Sequence, residues 1–85
     1  MPISAVKIDP RVTTVSFDGG QLLVSLRDGR TISAPLTWFP RLASAKAAER
    51  EAWEPAAAGL GIHWPLLDED ISVEGLLRAG SGELE

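Results

Sequence analysis

His63 is the single histidine of the chain, and it stands shortly before the acidic run Asp68-Glu69-Asp70. A histidine beside carboxylates has the makings of a general acid and base set, or of part of a divalent metal site. Without a second histidine or any cysteine, the set falls short of a zinc site, and the acidic run lacks the ligand spacing of a calcium loop. The plainer reading is that His63 hydrogen-bonds between Trp64 and a sheet, while the acids bind backbone amides or begin a helix. No metal or other cofactor is therefore expected. Serines are plentiful, yet no nucleophile elbow surrounds one of them. Gly19-Gly20 and Gly59-Leu60-Gly61 lack the Lys-Ser or Lys-Thr that completes a phosphate loop. The expectation is a protein without catalytic residues.

A second set could recognise rather than react. Arg27, Arg30 and Arg41 are candidates for a basic patch near the aromatic pair Trp38-Phe39, a mixture that stacks bases or grips a carboxylate-rich partner. Against that, Asp68 or Asp70 can hold Arg41 within the fold, leaving Arg27 and Arg30 to solvate a hairpin tip. Of the three tryptophans, Trp53 and Trp64 suit the space between helix and sheet. Trp38 or Phe39, beside Pro40 at the end of an element, suits partial exposure and a partner. The candidate partner-binding residues are thus Trp38, Phe39, Arg41, His63, Asp68, Glu69 and Asp70.

Composition narrows the classes further. Eighty-five residues with 8 basic and 12 acidic side chains give a net charge of −4, so a broad cationic footprint for nucleic acid is lacking. A chain of this size forms one domain whose core only just outweighs chain entropy, and self-association or a partner would help it. The absence of cysteine removes disulfides, thiolate metal sites and thiol nucleophiles, and suits a reducing compartment. The start, MPISAVKIDPRV, has no signal-peptide pattern. No stretch approaches the roughly 20 apolar residues of a membrane span. A cytoplasmic protein is expected, with residues 1–80 as a single domain and 81–85 as a frayed tail.

These residues need elements to hold them. Ile3, Val6 and Ile8 suggest a weak edge strand that Pro10 interrupts. Gly19-Gly20 forms a two-residue turn that sets Asp18 opposite Gln21, Phe17 opposite Leu22 and Val15 opposite Val24. A two-residue loop at Asp28-Gly29 would put Val24 opposite Ser33. A three-residue loop, Arg27 to Gly29, with Gly29 left-handed, pairs Val24 with Ile32 and Leu22 with Ala34, and makes one face consistently apolar. The result is a three-stranded antiparallel meander over 12–17, 21–27 and 30–34. Pro35 ends it. Thr37 is placed to cap a short helical turn, with Pro40 in a first helical turn. Ser44 to Glu54 is predicted to be the main helix, with Leu42, Ala45, Ala48 and Ala52 on the sheet side and an Arg50–Glu54 pair outside. Pro55, Gly59 and Gly61 make an irregular connection to a short extended segment, Ile62 to Pro65. Ser72 is an N-cap for a short final helix. The fold class is α+β: a small antiparallel meander of three to four strands against one main helix, with helical turns and a short C-terminal helix.

Read together, Asp28-Gly29-Arg30, Pro35-Leu36-Thr37-Trp38-Phe39-Pro40-Arg41-Leu42, Trp53-Glu54, Gly61-Ile62-His63-Trp64-Pro65 and the run from Leu67 to Leu77 resemble a family of small bacterial proteins, domain of unknown function 2442. The resemblance spans Val15 to Gly80. It implies a small α+β domain without recognised catalytic residues. It also implies an antitoxin-like role, since members resemble the second half of a two-gene unit whose first product is another small domain. Some longer relatives look joined to a helix-turn-helix, an extension not expected here. The reading that follows is a non-enzymatic protein-interaction module with a small protein partner or a second copy. Its alternatives are a nucleic-acid-associated regulator using Arg27, Arg30 and Arg41, and a small metal protein or enzyme using His63.

Overall fold

Gly19 and Gly20 turn the chain back on itself at φ of 56° and 80°, angles that a side chain disfavours and glycine accepts. In this computed structural model, which describes residues 7–80, they join β1 (Val12–Asp18) to β2 (Gln21–Leu26). Asp18 pairs with Gln21, Phe17 with Leu22 and Val15 with Val24. β3 (Thr31–Pro35) lies on the other side of β2, with Val24 opposite Ile32 and Leu22 opposite Ala34. The three-residue loop also holds: the Leu26 amide donates to the Arg30 carbonyl at 2.9 Å, and Gly29 sits at φ 97°. The meander has its expected register. Leu22, Val24, Leu26, Ile32 and Ala34 form a buried row on one face.

Period-two alternation does not show one detail of β1. The register slips between Val12, opposite Leu26, and Thr14, opposite Ser25. Thr13 is the extra residue, and its hydroxyl donates to the Ser25 carbonyl at 3.1 Å. Such a bulge restores Val12 to the face of Val15, and Val12 is buried there. The predicted edge strand over 3–9 falls partly outside the described residues. Its described part, residues 7–9, is irregular chain tied to the hairpin tip by the Asp28 amide, which donates to the Asp9 carbonyl at 3.2 Å; just beyond it the Arg27 amide donates to the Arg11 carbonyl at 2.8 Å. The predicted tail over 81–85 lies outside the described residues.

The predicted helix over 44–54 is instead two short helices, α1 (Pro40–Ala43) and α2 (Ala47–Glu51). Alanine propensity favours one helix, but side chains at the junction offer the backbone other partners. The Ser44 hydroxyl donates to the Pro40 carbonyl at 3.0 Å, and the Arg50 guanidinium donates to the carbonyls of Leu42 and Ala43 at 2.9 and 3.0 Å. Lys46 restarts the helix from extended backbone, its amide donating to the Glu49 carboxylate at 2.8 Å. Arg50 is thereby drawn away from the predicted pairing with Glu54. Thr37 does not cap a helix either: it lies within a single 3-10 turn, Leu36–Trp38, while Pro40 takes the first position of α1 as expected. Leu42 is wholly buried, Ala48 is exposed, and α2 buries no residue.

Much of the cover over the meander comes from a second antiparallel sheet, of which only the Ile62–Pro65 extension was expected. It consists of β4 (Glu54–Ala56), β5 (Gly61–Trp64) and β6 (Glu69–Ser72), with β5 in the middle. Ile62 pairs with Pro55 and Ile71, and His63 with Glu54 and Asp70. Ile62, Trp64 and Ile71 join Leu36 and Leu42 in the core. α3 (Val73–Gly80) follows at once, and the Ser72 hydroxyl accepts the Gly75 amide at 2.9 Å, the predicted N-cap. Val73 and Leu76 complete the core. Among the described residues, two small antiparallel sheets and three α-helices make the α+β fold.

Candidate partner-binding groove

Pro35 and Pro40 bracket the turn that presents Trp38, whose surface remains 41% exposed. Its ring meets Phe39 edge-on, with centroids 6.4 Å apart. The two aromatics form one wall of an open groove of about 260 Å³, and Asp70, Ile71 and Ser72 of β6 form another side. The third side is α3, through Gly75, Leu76 and Ala79. Gly75 matters to this shape because a Cβ there would lie 2.9 Å from the Ser72 oxygen that caps the helix.

At the groove, Asp70 faces His63 across the β5–β6 ladder, with Oδ1 and Nδ1 2.8 Å apart. The Asp70 side chain is 73% exposed and that of His63 29%, so the carboxylate remains within reach of solvent. This corrects the expectation that His63 would bond between Trp64 and the sheet. Glu54 is opposite His63 on the other neighbouring strand. Among the described residues, no three His, Asp or Glu side chains are grouped so as to hold a metal ion.

The turn between β5 and β6 is held by Arg41. Its Nη1 donates to the carbonyls of Asp68 and, at 3.5 Å, Leu67, and lies 3.9 Å from the Glu69 carboxylate. Backbone oxygens and Glu69 thus take the place of the expected Asp68 or Asp70 carboxylate. Asp68 occupies a left-handed position, φ 53°, which a short polar side chain tolerates better than most. All seven predicted residues consequently adjoin the β5–β6 hairpin or the groove beside it: Trp38, Phe39 and Asp70 line the groove, His63 holds Asp70, and Arg41 binds the turn carrying Asp68 and Glu69.

Arg30 is occupied elsewhere. Its Nη2 is 2.8 Å from Asp28, whose side chain is only 2% exposed. The Asp28 carboxylate also accepts the amides of Asp9 and Arg30 at 3.0 and 3.1 Å. The side-chain bond from Arg30 is the main cause holding the Asp28 carboxyl down to about 2, and the same bond raises Arg30 above its ordinary value. Arg27 is exposed at the hairpin tip. Arg30 and Arg41 therefore each serve a turn of the fold. Of the groove's other lining residues, Ile71 and Leu76 are readable from the sequence only as apolar positions that fold back on the core, as they do, and Ser72 as an N-cap; nothing in the sequence marks Ala79.

The fold and groove define a small α+β domain with an exposed aromatic cleft. The chain belongs to the family described as "Protein of unknown function (DUF2442)", which it matches over residues 12–82. A protein of unknown function from Rhodospirillum rubrum ATCC 11170, solved as a crystal structure at 2.75 Å resolution, is similar, with 29% identity and a TM-score of 0.68. The similarity covers 87% of this chain and 92% of that one. No curated protein matches. Among the described residues, no helix is long and apolar enough to cross a membrane.

Proposed function

We propose that this protein is a non-catalytic, cytoplasmic protein-interaction module whose partner docks at the groove between Trp38 and α3. The observation that carries this reading is Trp38 itself: a large ring left 41% exposed against a groove that Asp70 also lines. An aromatic face beside a carboxylate suits a cationic side chain on an apolar stem, which gains cation–π attraction and a charged hydrogen bond together. The partner is accordingly a small basic protein, consistent with the net charge of −4. The antitoxin-like role implied by the sequence resemblance is one form of this reading. The engagement of Arg30 and Arg41 in turns supports it over the nucleic-acid alternative.

Co-expression with the product of the adjacent gene tests the proposal. A co-purifying pair that Trp38→Ala weakens at least tenfold is the expected result, since buried aromatic anchors carry about 2 kcal/mol or more of binding. No association at micromolar concentration would overturn it. Retained binding with Trp38→Ala would move the surface away from this groove.

A further inference from the structure

Among the described residues, the backbone of β1 is paired along one side only. β2 runs along that side, and no strand lies along the other among the described residues. Because the Gly19-Gly20 turn closes on the Asp18–Gln21 pair, hydrogen bonding to β2 alternates through Ser16 and Thr14. The amides and carbonyls of Val15 and Phe17 consequently point outward. The other edges carry features that discourage a further strand: β3 ends in Pro35 and packs against α3, β4 has three residues including Pro55, and β6 contains Glu69 and Asp70. From Thr14 to Phe17, β1 has neither proline nor charge.

Beside this edge stands α2, the helix that buries nothing. An open groove of about 360 Å³ separates Val15, Ser16 and Phe17 from Ala47, Arg50 and Glu51. The Arg50 guanidinium lies 5.3 Å from the centre of the Phe17 ring.

We propose that a second copy of this chain pairs antiparallel with β1, about a two-fold axis at Ser16, to make one six-stranded sheet. In this register the outward groups of Val15 and Phe17 exchange hydrogen bonds with those of Phe17 and Val15 in the second copy. Val15 beside the opposing Phe17 extends the apolar face, and on the outer face the Thr14 hydroxyl meets the opposing Asp18 carboxylate, twice by symmetry. An axis perpendicular to the sheet keeps both α2 helices on one side of it. Arg50 and Glu51 both line the groove at this edge, so each copy brings one cation and one anion to the junction. This self-complementarity selects a second copy as the occupant.

The chain has no cysteine, so Ser16→Cys introduces a single reporter on the axis. Cβ atoms directly opposite across a non-hydrogen-bonded pair lie roughly 4.5 to 5.5 Å apart, near disulfide reach. Mild oxidation of the full-length Ser16→Cys protein is expected to give a covalent dimer, whereas Thr31→Cys, exposed on β3, stays monomeric. Sedimentation equilibrium of the unmodified chain should show a monomer–dimer equilibrium. Replacing the exposed Thr14 and Ser16 together by lysine should raise its dissociation constant at least tenfold without altering the circular dichroism spectrum. A monomer up to millimolar concentration, a dimer indifferent to the two lysines, or equal cross-linking from position 31 would each overturn the proposal.

Discussion

The indole Nε1 of Trp64 donates a 3.0 Å hydrogen bond to the carbonyl of Arg50, joining the middle strand of the second sheet to α2. The ring is fully buried, so a polar N–H placed there needs a partner. Arg50 itself is fixed by its bonds to Leu42 and Ala43. The broken helix and the buried tryptophan therefore depend on each other.

Trp64→Phe keeps an aromatic ring but removes the donor and part of the volume. Leaving a carbonyl short of its partner and a small cavity together costs about 2 to 3 kcal/mol. Urea denaturation should show a lower midpoint with little change in slope. A cost below about 0.5 kcal/mol would mean that the bond contributes nothing to holding α2.

Asp28 makes acid stability testable. Its folded pKa, about 2, lies below the ordinary 3.8, so the unfolded chain takes up this proton first. The contribution is fully present above pH 4 and is lost as pH falls from about 4 toward 2. Asp28→Asn should lower the thermal midpoint at pH 7 and flatten its fall over that window. An unchanged pH profile would assign the acid sensitivity to other carboxylates.

The link between β4 and β5 stores strain. Ala57 and Ala58 sit at φ 52° and 59°, followed by Gly59 at 92°, and each left-handed alanine costs roughly 1 to 2 kcal/mol. Ala58→Gly relieves that cost but adds about 0.5 to 1 kcal/mol of backbone freedom to the unfolded chain. The net expectation is stabilisation by several tenths to about 1 kcal/mol. Ala48→Gly, on helical backbone in α2, should change stability in the opposite direction by about 1 kcal/mol. Thermal unfolding of the two variants checks the signs.

The meander was legible because apolar alternation and two glycine turns agree on one register, with Val24 between Val15 and Ile32. The second sheet was less so. Glu69 and Asp70 have low strand propensity, and Pro55 argues against a strand except at an edge, where β4 in fact lies. The single predicted helix failed because local propensity says nothing of Arg50 reaching back to Leu42. As for the site, Trp38, Phe39 and the acidic run could be named from residue type and position. The His63–Asp70 contact could not, since it needs β6 to be recognised as the neighbour of β5.

Ser72 and Gly75 should show strong non-additivity. Ordinarily, glycine to alanine inside a helix stabilises by about 1 kcal/mol. Here the new Cβ would stand 2.9 Å from the Ser72 oxygen, so the hydroxyl must rotate away and release the Gly75 amide. Loss of an N-cap costs typically about 1 kcal/mol, and Gly75→Ala alone should come out near neutral. In a Ser72→Ala background, where the cap is already gone, the same change should recover most of its helix gain. A double-mutant cycle by chemical denaturation would then give a coupling of about 1 kcal/mol. Strict additivity would show that the hydroxyl does not hold the helix start.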